Sequence, residues 1–273
     1  MKPLHHQQLF HWFGRDIGHR TEGAVADREE TALKYLRYLK SSLRFGLWCK
    51  PPEKPERHIC ELGLEPLPIT CFTEWRVEQS ARHISKYGLL GLGFPRRWVA
   101  ERGGQPVTYF DGSKKSNYFD SVRRVWRSLE GTDAAADFFH LAHFSREARS
   151  PREPAGGTTR KKNATRRVRP PRQDPCKRKL TGPMQLVEER EWRIVYPSNP
   201  SPSLAKHFRP VQGRKPRPTY FIPYEPGSEL FTVVLPDNLT MSLVLADKEL
   251  RELLFQPNRP PVALISLEDV GTF

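Results

Sequence analysis

The hydrophobic positions along the chain change their period several times, and each change marks an element. Residues Gln8–Phe13, QLFHWF, form an apolar, aromatic run with the length of a strand. In DREETALKYLRYLKSSLRFG, Leu33, Leu36, Leu39 and Leu43 recur at intervals of three and four, which predicts a helix. Asp27, with Glu30 three residues on, fits the cap at its start, and Gly46 fits the left-handed residue beyond its end. A loop rich in proline and charge runs from Pro51 to Pro68. PITCFTE (68–74) then predicts a strand, with Thr73 placed to cap a helix over Trp75–Lys86 that stops at Gly88. LLGLGF (89–94) reads as a buried strand whose two glycines require a close backbone approach or a bulge. RRWVAERG is a short helix and PVTYF (106–110) a strand. Asn117–Leu129 is helical, with Phe119, Val122, Val125 and Leu129 in register, and DFFHLAHF extends that layer. Periodicity lapses over 150–183. It returns at MQLVEEREWRIVYP (184–197), a strand, and continues in strands near 218–224, 230–235 and 261–267, with a helix, DKELRELLF (247–255), before the last.

Strands spaced by helices and then a run of strands predict an α+β fold, a mixed or antiparallel sheet with flanking helices. One domain is expected from 1–149 together with 184–273, interrupted by 150–183. Charge sharpens that division. Of a net +14, the segment Pro151–Pro183 carries 11 Lys/Arg against 2 Asp/Glu and almost no large apolar side chain. Such a segment buries too little surface to offset the entropy of ordering, so a disordered basic insertion is expected. Its cations at 160–179 either contact the phosphates of a nucleic acid or form a solvated linker. The four cysteines, at 49, 60, 71 and 176, include no C-x-x-C pair, which reads as a reducing compartment. No stretch is apolar enough for a membrane span, and the N-terminal order is not that of a signal peptide, so the expected location is cytoplasmic, with no membrane partner.

Three places carry candidate chemistry. His11 sits inside the first aromatic run, either as a packed core histidine or facing a nucleotide-shaped cleft. Glu189 and Glu191 in EEREWR are two apart, so on a strand both point to one face, with Trp192 and Ile194 covering the other. Adjacent carboxylates raise each other's pKa; the plainer alternative is an exposed edge balanced by Arg190 and Arg193. In TCFTE, Thr73 ends a strand, and in KYGLLGLGF, Tyr87 and Gly88 precede glycines that allow a ligand near main chain. If one cleft gathers these residues, His11 and Glu191 should share a face of one sheet. His140 and His143 have a spacing that metal ligands use on a helix, with no third ligand near in sequence. There is no P-loop, G-x-S-x-G elbow or dinucleotide glycine fingerprint.

The order of these motifs resembles that of ADP-ribosyltransferases: a first-strand His, a second strand bearing hydroxyls, and a late E-x-E strand. The resemblance implies an ADP-ribosyltransferase-like core with NAD as substrate. His11 would donate to the nicotinamide ribose, Thr73 would line the pocket with Tyr87 and Gly88, and Glu191 would stabilise the oxocarbenium-like transition state beside an accessory Glu189. The second motif reads T-x-F-T where that family has S-T-S. A broader resemblance covers nearly the whole chain outside 150–183. PITCFTE, HISKYGLLGLGFPRRWV, GGQPVTYF, EEREWRIV and VALISLEDVGTF are similar to the AbiGi family of bacterial abortive phage-infection proteins, described as antitoxins. That resemblance implies a role in phage defence and a cognate toxin as partner. Two rival readings follow, an active NAD-dependent transferase that modifies nucleic acid or protein, and a non-catalytic module that binds a toxin or nucleic acid.

Overall fold

The computed structural model describes residues 8–17, 25–74, 77, 84, 86–111, 117–148, 190–212 and 218–270. Strands β1 (Gln8–Phe13), β3 (Ile69–Thr73), β4 (Leu90–Pro95), β5 (Gln105–Pro106), β8 (Glu191–Val195), β11 (Thr232–Leu235) and β12 (Ala263–Ser266) form one seven-stranded sheet in the order β12-β11-β4-β1-β3-β8-β5. Its pairs are antiparallel except β11 with β12, which run parallel. That parallel pair is joined by helices α7 (Asn238–Ala246) and α8 (Lys248–Leu254), because parallel neighbours need a long crossover. A three-stranded sheet has the order β2 (Leu47–Cys49), β10 (Tyr220–Ile222), β9 (Arg209–Pro210), and β6 (Thr108–Asp111) pairs in parallel with β7 (Ser145–Ala148). The fold is α+β, with a mixed, mainly antiparallel sheet and flanking helices.

Helix α1 (Val25–Phe45) begins two residues before the expected cap and buries Ala32, Tyr35, Leu36, Leu39 and Leu43; Leu33, expected on that face, is exposed. The buried stripe follows the 3.6-residue turn, which carries Leu33 away from the row that Leu36 and Leu43 share. The far end of α1 is fixed to the α7–α8 junction by Lys40–Asp247 at 2.6 Å and Arg44–Glu249 at 2.5 Å. On the α1 side of the sheet Phe94 stacks on Trp98 of α3 (Arg96–Glu101) at 4.4 Å and meets Tyr224 edge-on at 5.0 Å. The Tyr224 hydroxyl in turn shares a hydrogen bond of 2.8 Å with Ser42 of α1.

The glycines of β4 serve close approach, with no bulge, since β1 and β4 pair at six successive positions. A Cβ at Gly91 would come within 2.7 Å of the Trp12 ring, and one at Gly93 within 2.8 Å of Phe10. Their absence lets the two aromatic side chains of β1 lie flat across the neighbouring strand.

Several expected elements differ in detail. The loop after Pro51 contains a short helix, α2 (Arg57–Glu61). PVTYF divides at Val107 into β5 and β6, which belong to different sheets. Helix α4 (Tyr118–Leu129) turns Val122 and Trp126 toward α5 (Ala134–Ala142), whereas Val125, expected inside, is exposed. Four-residue α6 (Pro202–Ala205) and helix α7 went unanticipated. The basic insertion at 150–183, most of the Trp75–Lys86 helix and residues 184–189 lie outside the described residues. No helix among the described residues is long and apolar enough to cross a membrane.

Gly46, at φ +102°, ends α1 against β10, and a Cβ there would lie 2.2 Å from the Ile222 carbonyl oxygen. Gly46→Ala combines a left-handed backbone with a clash against immobile main chain. It should lower stability by about 2 kcal/mol or more, read as a lower urea midpoint with an unchanged slope.

Candidate functional site

Strands β1 and β3 are neighbours, yet they pair at a single position, Phe10 opposite Thr73. Continuing that register would set Trp12 opposite Cys71. Instead the Cys71 carbonyl takes a hydrogen bond of 2.8 Å from the His11 Nδ1–H. A cleft of about 1070 Å³ opens along this partly zipped seam, with His11, Phe13, Tyr38, Thr73, Tyr87 and Glu191 in its walls. Gly88 backs onto the wall instead. At φ +120° its α-carbon lies so near the Phe13–Arg15 turn that a Cβ would meet the Phe13 carbonyl oxygen at 2.2 Å.

The cleft therefore gathers His11, Thr73, Tyr87 and Glu191, but His11 and Glu191 do not share a face. Phe10, Thr73 and Glu191 form one cross-strand row, so they project to the same side. His11 is one residue from Phe10 and projects to the other. It stacks on Phe13 with ring centroids 5.5 Å apart and leans on Phe72 at 5.7 Å. His11 therefore packs among aromatic rings and also lines the cleft. Burial lowers its pKa, more than the Cys71 carbonyl raises it, which favours the neutral ring. With Nδ1 carrying the proton, Nε2 of that ring is an acceptor, not the donor the sequence analysis assigned.

Glu191 is only 5% exposed. Strand β8 is thus an interior strand, flanked by β3 and β5, and not an exposed acidic edge. Arg193, two residues on and on the same face, binds Glu191 Oε1 through Nε at 2.8 Å, and Arg146 of β7 binds Oε2. Arg193 also reaches Glu56 at 3.1 Å and donates to the His143 carbonyl at 2.8 Å, while Arg146 reaches Glu56 at 3.4 Å. Two carboxylates and two guanidiniums thus close a ring of alternating charge. Burial alone would push the Glu191 carboxyl up. Arg193 and Arg146 outweigh it and bring the pKa down to about 2, opposite to the upward shift expected from a carboxylate pair. Glu189 lies outside the described residues. Nearby Cys71 is pushed up to about 12 by burial and by the Glu191 charge, so it remains a thiol and a poor nucleophile.

Glu56 and Arg146 escaped the sequence analysis, and no local signal could have found them, because they stand 137 residues from Arg193 and 45 from Glu191. The histidine pair has a structural explanation. His143 Nε2 accepts from the Leu67 amide at 3.1 Å and its Nδ1–H donates to the Phe139 carbonyl at 2.8 Å, so both ring nitrogens are occupied by main chain. His140 Nε2 lies 3.3 Å from the Val195 carbonyl oxygen.

Two predictions follow from this buried polar layer. Arg193→Met leaves Glu56 and Glu191 to share one guanidinium, and should cost about 3–5 kcal/mol in urea unfolding at pH 7. Replacing the pair together, Glu191→Leu with Arg193→Met, should recover part of that loss. The second concerns acid. Burial holds His143 at about 4, against 6.5 when unfolded. The folded state therefore favours the neutral ring, and that contribution is complete above pH ~6.5 and lost as pH falls toward 4, by on the order of 3 kcal/mol. His143→Gln, which keeps an acceptor for Leu67, should flatten the decline in stability between those two pH values.

Comparison of the chain with protein-family models, with curated proteins and with solved structures finds no match, so a functional reading stands on these residues and their geometry.

Proposed function

We propose that this chain is an AbiGi-type phage-defence protein whose ADP-ribosyltransferase-like core binds a nucleotide, NAD foremost, without turning it over. The observation that carries the reading is the gathering of His11, Thr73, Tyr87 and Glu191 in one cleft. At about 1070 Å³ that cleft lies just above the usual range for small-molecule sites and has room for a ligand of dinucleotide size. Phe13, Tyr38 and Tyr87 supply aromatic rings to the lining, and the Nε2 lone pair of neutral His11 can accept from a ribose hydroxyl.

Binding without turnover is favoured by the partners of Glu191. Loss of nicotinamide leaves positive charge on the ribose, and a fixed carboxylate speeds that step only through its uncompensated field. The charge of Glu191 is met by Arg193 on one oxygen and Arg146 on the other. The rival reading, an active transferase that modifies nucleic acid or protein, is favoured by one fact: the same guanidiniums keep Glu191 ionised throughout the physiological range. On the binding reading the partner is a cognate toxin or a nucleic acid.

Calorimetry with NAD and mass spectrometry of nicotinamide release separate these readings. The expected outcome is NAD binding by the wild type, weakened about tenfold or more by His11→Ala, with no nicotinamide released. Release that falls on the order of 10²-fold in Glu191→Gln would establish the active transferase. No NAD binding by the wild type would remove the nucleotide reading and leave His11 a packed histidine. The defence role is read separately, as lower phage plaque counts on bacteria that express the chain than on bacteria that do not.

A further inference from the structure

The outer face of the small β2-β10-β9 sheet carries an unusual row of side chains. Phe221 of β10 stands directly between Trp48 of β2 and Arg209 of β9 in cross-strand register. Alternation along β2 turns Leu47 and Cys49 into the core and leaves Trp48 outward, 39% exposed. Phe45, at the end of α1, is 52% exposed and stacks on Phe221 with centroids 5.6 Å apart, and Trp48 meets Phe221 edge-on at 5.0 Å. Lys50, two residues beyond Trp48, is exposed on the same side; its nearest ion-pair partner is Glu53, at 3.9 Å. Arg209 is exposed and has no ion-pair partner among the described residues.

A cross-strand aromatic pair stabilises a small sheet, and that role accounts for Trp48 against Phe221. It does not require the third ring, and it gives no reason for one cation at the β9 end of the row and another beside Trp48. Contiguous aromatic surface left open to water marks a binding face more often than chance. Ring faces flanked by positive side chains match one ligand chemistry closely: unpaired bases stack on the rings while the backbone phosphates meet the cations.

We propose that this face is a stacking platform for single-stranded nucleic acid. Bases lie against Phe45, Trp48 and Phe221, and phosphates pair with Arg209 at the β9 end of the row and with Lys50 beside Trp48. Trp48 and Lys50 also line the cleft, so a strand on the platform runs to the cleft mouth. The assignment is independent of what the cleft binds, and of contacts made by the cations at 160–179. Electrostatic contacts of that second kind depend on salt and not on aromatic faces.

The test uses the full chain and fluorescent oligouridylate and oligothymidylate of about 12 nucleotides, followed by anisotropy over a salt series. Trp48→Ala and Phe221→Ala should each weaken binding about tenfold, with Trp48→Phe restoring most of it. Arg209→Ala should weaken binding and reduce the salt slope by about one. Preference for one of the two oligomers identifies RNA or DNA as the ligand. Phe45→Ala, at an exposed helix end, guards against loss of fold, and melting curves accompany every variant. Binding that is unchanged in Trp48→Ala, Phe221→Ala and Phe45→Ala would overturn the platform, as would failure of the wild type to bind either oligomer. So would a result in which these variants only convert a dimer to a monomer in sedimentation, which would assign the face to a second copy of the chain.

Discussion

A carboxylate taken out of water keeps its charge only if other charges stand against it, and the interior of this protein is arranged around that constraint at Glu191. One partner, Arg193, comes from the same strand. The other, Arg146, comes from β7, and Glu56, just before α2, balances both. These groups join three stretches of chain. Exchanging such a ring for well-packed hydrocarbon is often neutral for stability, whereas breaking it is severe. The ring holds Glu191 in place, and Glu191 forms part of one wall of the cleft.

The opposite wall depends on a missing piece of ladder. Strands β1 and β3 could zip along their length, but past Phe10 and Thr73 the side chain of His11 takes the Cys71 carbonyl. Buried main-chain groups need partners, and an imidazole supplies one without drawing the strands together. The same bond selects the tautomer and leaves the ring lone pair on Nε2. His11 is thus structural through Nδ1.

How much of this was legible in the sequence varies with the distance over which each interaction acts. Aromatic β1, helix α1 and its glycine stop at Gly46 are local patterns and read correctly to within about two residues. The burial of particular positions read less well. Leu33 and Val125 fit a three-and-four spacing but lie outside, because periodicity gives a face and not the place where a neighbour ends. PVTYF read as one strand because nothing local shows that its halves pair with different partners. The site divides in the same way. His11, Thr73 and Glu191, singled out from motif order, line one cleft. The sign of the Glu191 shift was not legible, because Arg193 beside it acts together with Arg146, which is distant in sequence and unremarkable there, and the two outweigh burial. The shared face expected for His11 and Glu191 failed on a one-residue offset, and a single step reverses the side on a strand.

Separating structural from functional charge also changes the meaning of the strong net positive balance. The guanidiniums of Arg146 and Arg193 are consumed internally by Glu56 and Glu191, and that of Arg102 by Glu229 at 2.8 Å. Lys40 and Arg44 are held by the acidic start of α8. A basic composition by itself therefore says little about partners, since part of it neutralises the protein's own carboxylates. What remains able to meet an external anion is the charge without such a partner, and where it stands beside open aromatic rings it gains a second means of recognition. Electrostatic attraction decays within a Debye length and is blind to base chemistry, whereas stacking needs contact and requires a flat ring. A surface that joins the two at the mouth of a cleft can both collect a ligand and orient it.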